Sequence, residues 1–151
     1  MAVQTSISAA PAVGLKGQMA TTEGAEFTSK LALEAIVAGD VVIHAGDNTC
    51  ELPDLTGEVT AGTAAGIAVL DAYREDADYA DGETVRICTK GEILVDVTVA
   101  ASTVGGPVYV IFTTGKIRGT ADAGAVALPN AVFLTAGTGP QRVKLTGPFV
   151  A

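Results

Sequence analysis

Apolar side chains recur at every second position over several short runs: ETVRICT (83–89), EILVDVTVA (92–100), PVYVIFT (107–113) and QRVKLT (141–146). A period of two sends alternate side chains to opposite faces and predicts strands. GIAVLDA (66–72), KIRG (116–119) and AVFLTA (131–136) are further strand candidates, nearly all bounded by Gly, Pro, Asp or Asn. KLALEAIVAGDVVIHAGD (30–47) admits two readings: Ser29 and Gly39 would cap a short helix, while Leu31, Leu33 and the VVI run suit strands. Strands are preferred. Many short strands, close turn signals and no sustained helical period predict a mainly β fold, a small antiparallel barrel or sandwich. The two-sided apolar run at 107–113 is expected in its core or in a subunit interface.

RICTKGEILVDV (86–97) reads as two strands joined by a turn. A three-residue loop of Thr89, Lys90 and Gly91 would set Ile87 opposite Ile93 and Val85 opposite Val95, leaving Arg86, Glu92 and Asp96 together on the other face. Gly91 would then take positive φ, which disfavours any residue with a Cβ. TTGKI (113–117) repeats the logic, with Gly115 closing a loop and Ile111 opposite Ile117.

Residues 1–29 are poor in apolar periodicity, interrupted by Pro11, Gly14, Gly17 and Gly24, and read as an extended N-terminal arm that gains order from a partner. Residues 30–151 form the expected β-domain. Removing residues 2–25 is accordingly expected to abolish partner binding and leave the barrel folded.

At 151 residues the chain suits one domain with its own core. The net charge of −8 is uneven: residues 71–83 hold six acids against one Arg, a local −5. Lys and Arg are scattered singly, so direct nucleic-acid binding lacks an electrostatic footprint. No apolar run reaches the length of a membrane helix, and the first residues lack the pattern of a secretion signal. Cys50 and Cys88 are too sparse for a disulfide framework or zinc site and read as small buried hydrophobes.

Candidate chemistry thins out on inspection. Arg86 with Glu92 and Asp96 could orient an anion, but cross-strand ion pairs on a wet face are the simpler reading. His44 is the sole histidine, so a nucleophile triad would need it with Asp40 or Asp47, yet no serine occupies a GxSxG turn. Asp76, Asp78 and Asp81 crowd oxygen ligands as calcium loops do, but Ala80, Asp81 and Ile87 stand where that pattern needs an acid or Asn, a Gly and a Glu. No catalytic, cofactor-binding or metal-ligating residue is assigned, and no enzyme activity is expected. A catalytically inactive ligand- or glycan-binding module of a virion or cell surface is the alternative, although such a module would offer more exposed aromatics than this chain has.

GLKGQMA (14–20), AGDVVI (38–43), AGIAVLDA (65–72), YADGETVRICTKGEILVDV (79–97) and GGPVYV (105–110), in that order, resemble the structural cement, or decoration, proteins of tailed bacteriophage heads. The resemblance spans about residues 14–146. It implies a β-rich protein on the outer surface of the capsid within the virion, made in the host cytoplasm and usually homotrimeric. Its partners would be the major capsid protein and its own copies, with no membrane or direct nucleic-acid role. Residues 1–30 are expected to carry much of the capsid contact, and the protein would stabilise the shell by bridging its subunits.

Overall fold

Residues Thr84–Ser102 form one unbroken 19-residue strand, where two strands and a turn are expected. The computed structural model describes residues 15–54, 59–60, 63–71, 78–147 and 149. Its strands are β1 (Met19–Ala32), β2 (Ile36–Val37), β3 (Val41–Gly46), β4 (Thr49–Glu51), β5 (Ala64–Ala68), β6 (Asp78–Tyr79), β7 (Thr84–Ser102), β8 (Pro107–Ile111), β9 (Ile117–Arg118), β10 (Ala125–Phe133) and β11 (Gly137–Leu145). The expected mainly β fold is what the chain adopts, with no helix among the described residues.

The large sheet runs β1-β4-β3-β5-β7-β11-β10-β8-β9, and it closes on itself twice, through β1–β7 and β7–β9 pairing. Two rings result, each of five strands: β1, β4, β3, β5 and β7 make one, and β7, β11, β10, β8 and β9 make the other. β7 is the shared stave. Its first half pairs with β1 and β5, and its second half with β11 and β9. Pairing is antiparallel except for β1–β4 and β7–β9.

A slip within β7, just before Gly91, explains how one strand serves both rings. In a regular strand Cys88 and Ile93, five residues apart, would face opposite ways. Here both lie in one buried cluster with Val95, Val97, Phe133 and Val143, while Val85 and Ile87 lie in the other with Ile36, Cys50 and Tyr79. A one-residue slip between Cys88 and Ile93 switches the inward face, as a β-bulge does. The β1 register places the extra residue at Thr89, since Glu26 faces Lys90 and Phe27 faces Cys88; Gly91 follows it at φ +130, so the expected positive φ is present although the hairpin is not. Ile87 therefore pairs with Thr28 and Ala68, and Ile93 with Met19 and Val143, rather than with each other.

β5 is buried along its whole length because it also faces both cores: Ala65 and Ala68 enter one cluster, Ala64 and Ile67 the other. Gly66 lies against β7 so closely that a Cβ would stand 2.2 Å from the Cys88 carbonyl oxygen. Phe149 returns after β11 to join the second core.

The loop after β8 does close at Gly115, with φ +70, but Ile117 pairs with Val110 and not Ile111. The Lys116 carbonyl accepts from the Ile111 N–H at 2.8 Å, making the loop one residue longer than expected. Val108 and Val110 of the 107–113 run point into the second core. The boundary expected at residues 29–30 falls inside β1, which pairs with β7 from Met19 to Leu31. Residues 19–29 are thus part of the sheet. Residues 1–14 of the expected arm lie outside the described residues.

Candidate functional site

Among the described residues, the chemistry-bearing side chains singled out from the sequence are spread over β3, the turns at either end of it and β7. Asp40 is 5% exposed just ahead of β3, and burial, only partly offset by Lys16 and Lys116, pushes its carboxyl up to about 6. His44 lies farther along β3, opposite Cys50 of β4. Asp47 contributes its backbone carbonyl, which accepts from the buried Lys30 Nζ at 2.7 Å and ties β1 to the β3–β4 turn. The charges that act on Asp40 are those of Lys16 and Lys116, which lower its shift, and of Asp78 and Asp96, which raise it.

Arg86, Glu92 and Asp96 follow one another along β7 instead of meeting across a hairpin. Arg86 stacks on the Phe27 ring of β1 at 4.0 Å, a cation–π contact, and Glu92 pairs with Arg142 of β11. Glu26 of β1 meets Lys90 at 3.4 Å, exposed and therefore weakly stabilising. Asp122 bonds Arg118 at 2.7 Å, and the Gly124 N–H together with that guanidinium holds its carboxyl below the usual range.

Burial pushes both thiols up to about 11, suppressing the reactive thiolate at neutral pH. The Cys88 thiol donates to the Lys90 carbonyl. Of the acidic loop, Asp78 and Asp81 are described and Asp76 is not. Among the described residues no three His, Cys, Asp or Glu side chains gather as a metal site would require.

The features left are surfaces. β4 reaches β1 only at Leu31 and Ala32, so from Met19 to Lys30 β1 has β7 on one side and no strand on the other among the described residues. Register shifts at Thr21 and Glu26 swing β1 outward around Gly24. The swing opens a groove of about 430 Å³ beside Thr21, Glu23, Lys90, Glu92 and Lys144. At the other end of β1, Leu31 and Leu33, alternating with buried Ala32, are 43% and 46% exposed. Period-two reasoning missed this edge, since β1 carries Thr, Glu and Gly where an amphipathic strand would carry Val or Ile. A long free strand edge with polar side chains is a surface suited to pairing with another chain.

The fold is similar to that of a chain in the capsid of Myoviridae phage XM1, with a TM-score of 0.76 and 19% identity, covering 99% of this chain and 100% of that one. The head fiber gp8.5 N base of bacteriophage phi29 is similar at a TM-score of 0.49 and 13% identity, covering 84% of this chain and 98% of that one. No curated protein matches in sequence. The family model described as structural cement protein (E217 gp24/Pam3 gp6) matches residues 3–146, nearly the whole chain, and the protein therefore belongs to the phage structural cement proteins.

Proposed function

We propose that the protein binds the outer surface of an assembled phage head and stabilises it by bridging major capsid protein subunits. Membership of the cement family over residues 3–146 carries this reading. The free edge of β1 between Met19 and Lys30 supports it, because an extended capsid segment could add there as a further strand. Residues 1–14, which precede that edge, are assigned to the same contact.

The mechanism is linkage without bond-making. A protein that binds only the assembled shell stabilises it by about 2.7 kcal/mol per site at a free concentration 100 times the dissociation constant. Repetition over a lattice multiplies that effect.

The test mixes purified protein with undecorated capsids. Co-sedimentation at a fixed copy number, with a raised capsid melting temperature, is expected; protein that stays in the supernatant at saturating concentration contradicts the reading. Because residues 19–29 belong to β1, an informative deletion must spare them, unlike one of residues 2–25. Removing residues 2–14 is expected to abolish co-sedimentation and leave the far-UV spectrum unchanged.

A further inference from the structure

Asp40 is the only buried acid among the described residues, and the pieces that cover it are unequal. Lys16 faces it from the turn Leu15–Gln18, Lys116 from the loop between β8 and β9, Asp78 from β6 and Asp96 from β7. β5 meets its backbone, the Ala68 N–H donating to the Asp40 carbonyl at 3.0 Å. The turn closes on itself: the Gln18 N–H donates to the Leu15 carbonyl at 3.0 Å, and the Leu15 N–H to Gln18 Oε1 at 3.1 Å. It lies against the two residues just before Asp40. A Cβ on Gly17 would stand 2.7 Å from the Ala38 Cβ, and one on Gly39 would stand 3.0 Å from both the Gly17 nitrogen and the Lys16 Cβ. Three backbone hydrogen bonds hold the turn there, from the Gly17 N–H to the Leu94 carbonyl at 2.7 Å, from the Leu94 N–H to the Gln18 carbonyl at 2.9 Å and from the Leu70 N–H to the Gly17 carbonyl at 2.8 Å.

We infer that the turn Leu15–Gln18 is a pH-sensitive latch over Asp40, docked while the carboxyl is protonated and lifted when it ionises. A buried anion regains hydration once its cover lifts, and burial is the largest influence on this carboxyl, outweighing the pull of Lys16 and Lys116. The turn is the piece of that cover that can move without breaking a strand: Asp78 and Asp96 lie within β6 and β7, and Lys116 sits between β8 and β9, both paired in the sheet. Lifting it breaks only the three bonds to Leu70 and Leu94, the scale of a local opening. The docked carboxyl titrates at about 6 against an ordinary 3.8, so the preference for docking is full below about pH 4 and is lost as the pH rises through 6. Lys16 opposes lifting by attracting the anion, but the net shift is upward and fixes the sign. Residues 1–14 precede this turn, so lifting it also releases their anchor at Leu94. The inference concerns the free chain and does not rest on capsid binding.

Native-state hydrogen exchange on the free full-length protein, read as protection relative to the intrinsic rate at each pH, tests the latch. Between pH 4.5 and 7.5, protection at the Gly17, Leu70 and Leu94 amides is expected to fall roughly 10- to 100-fold, about two pH units of proton linkage setting the upper bound. Low urea should leave these three amides unaffected, because a local opening exposes little surface. Asp40→Asn should hold protection at the pH 4.5 level throughout. Lys16→Gln removes the attraction that opposes lifting, so it should lower protection further at pH 7.5 and change nothing at pH 4.5. The inference is overturned if wild-type protection at these amides stays level or rises with pH, or if Asp40→Asn keeps the fall. It is equally overturned if urea accelerates them in step with the Phe133 amide of the second ring, since the turn would then open only with the whole fold. An equal effect of Lys16→Gln at both pH values also contradicts it, and that outcome can be read even where Asp40→Asn does not fold.

Discussion

At the residue scale, Asp40 is a liability the fold tolerates. Its carboxyl titrates near 6 when folded against 3.8 as the ordinary value, chiefly because burial disfavours the anion. Lys16 and Lys116 reduce the shift, while Asp78 and Asp96 increase it. Between those two values the folded state binds more protons than the unfolded chain, so this group's contribution is fully present below about pH 4 and lost as the pH rises through about 6. Above that the buried carboxylate costs on the order of 2–3 kcal/mol. Asp40→Asn should therefore stabilise the protein by up to that amount at pH 7.5 and do little at pH 4. Urea unfolding at the two pH values reads the difference, and an equal effect at both would show that Asp40 does not titrate in this way.

At the element scale the controlling device is the face switch in β7. Gly91 combines φ +130 with crowding: a Cβ would stand 3.0 Å from the Ala25 Cβ of β1. Gly91→Ala should cost about 2–3 kcal/mol, from backbone strain of ~1–3 kcal/mol plus the clash. Adding Ala25→Gly should recover the clash and leave the strain, so a double variant as stable as wild type would remove φ from the explanation. The same glycine shows what the sequence could reveal. Period-two alternation located β7, β8 and β11 because their inward valines and isoleucines are set by burial. Lys90-Gly91 looked like a turn because a bulge and a hairpin loop both want glycine at positive φ, and local residues do not say whether the chain reverses. β1 resembled an arm because its order comes from pairing with β7, sixty residues away, and not from its own apolar content. The candidate site was legible only in part. Motif reasoning set aside His44, Asp40 and Asp47 as a triad, but a docking edge is made of exposed backbone that no side-chain motif announces. The edge of β1 is free only because β4 stops at Leu31 and Ala32, which no local pattern shows.

At the scale of the whole molecule, the two rings cannot be separate folding units. β7 runs through both, and β5 sends alternate side chains into both cores, so melting one ring strips one face of the elements that build the other. Cavities placed in either core test this coupling. Ile36→Ala empties part of the first cluster and Phe133→Ala part of the second, each residue being fully buried. Substitutions of this size cost about 2–5 kcal/mol. For a chain of this length each kcal/mol lowers the melting temperature by roughly 2–4 °C. Calorimetry should show one transition for each variant, shifted down as a whole, with the calorimetric and van't Hoff enthalpies equal as two-state melting requires. If one variant instead split the endotherm, leaving part of the heat absorption at the wild-type temperature, the rings would be independent and β7 merely their connector.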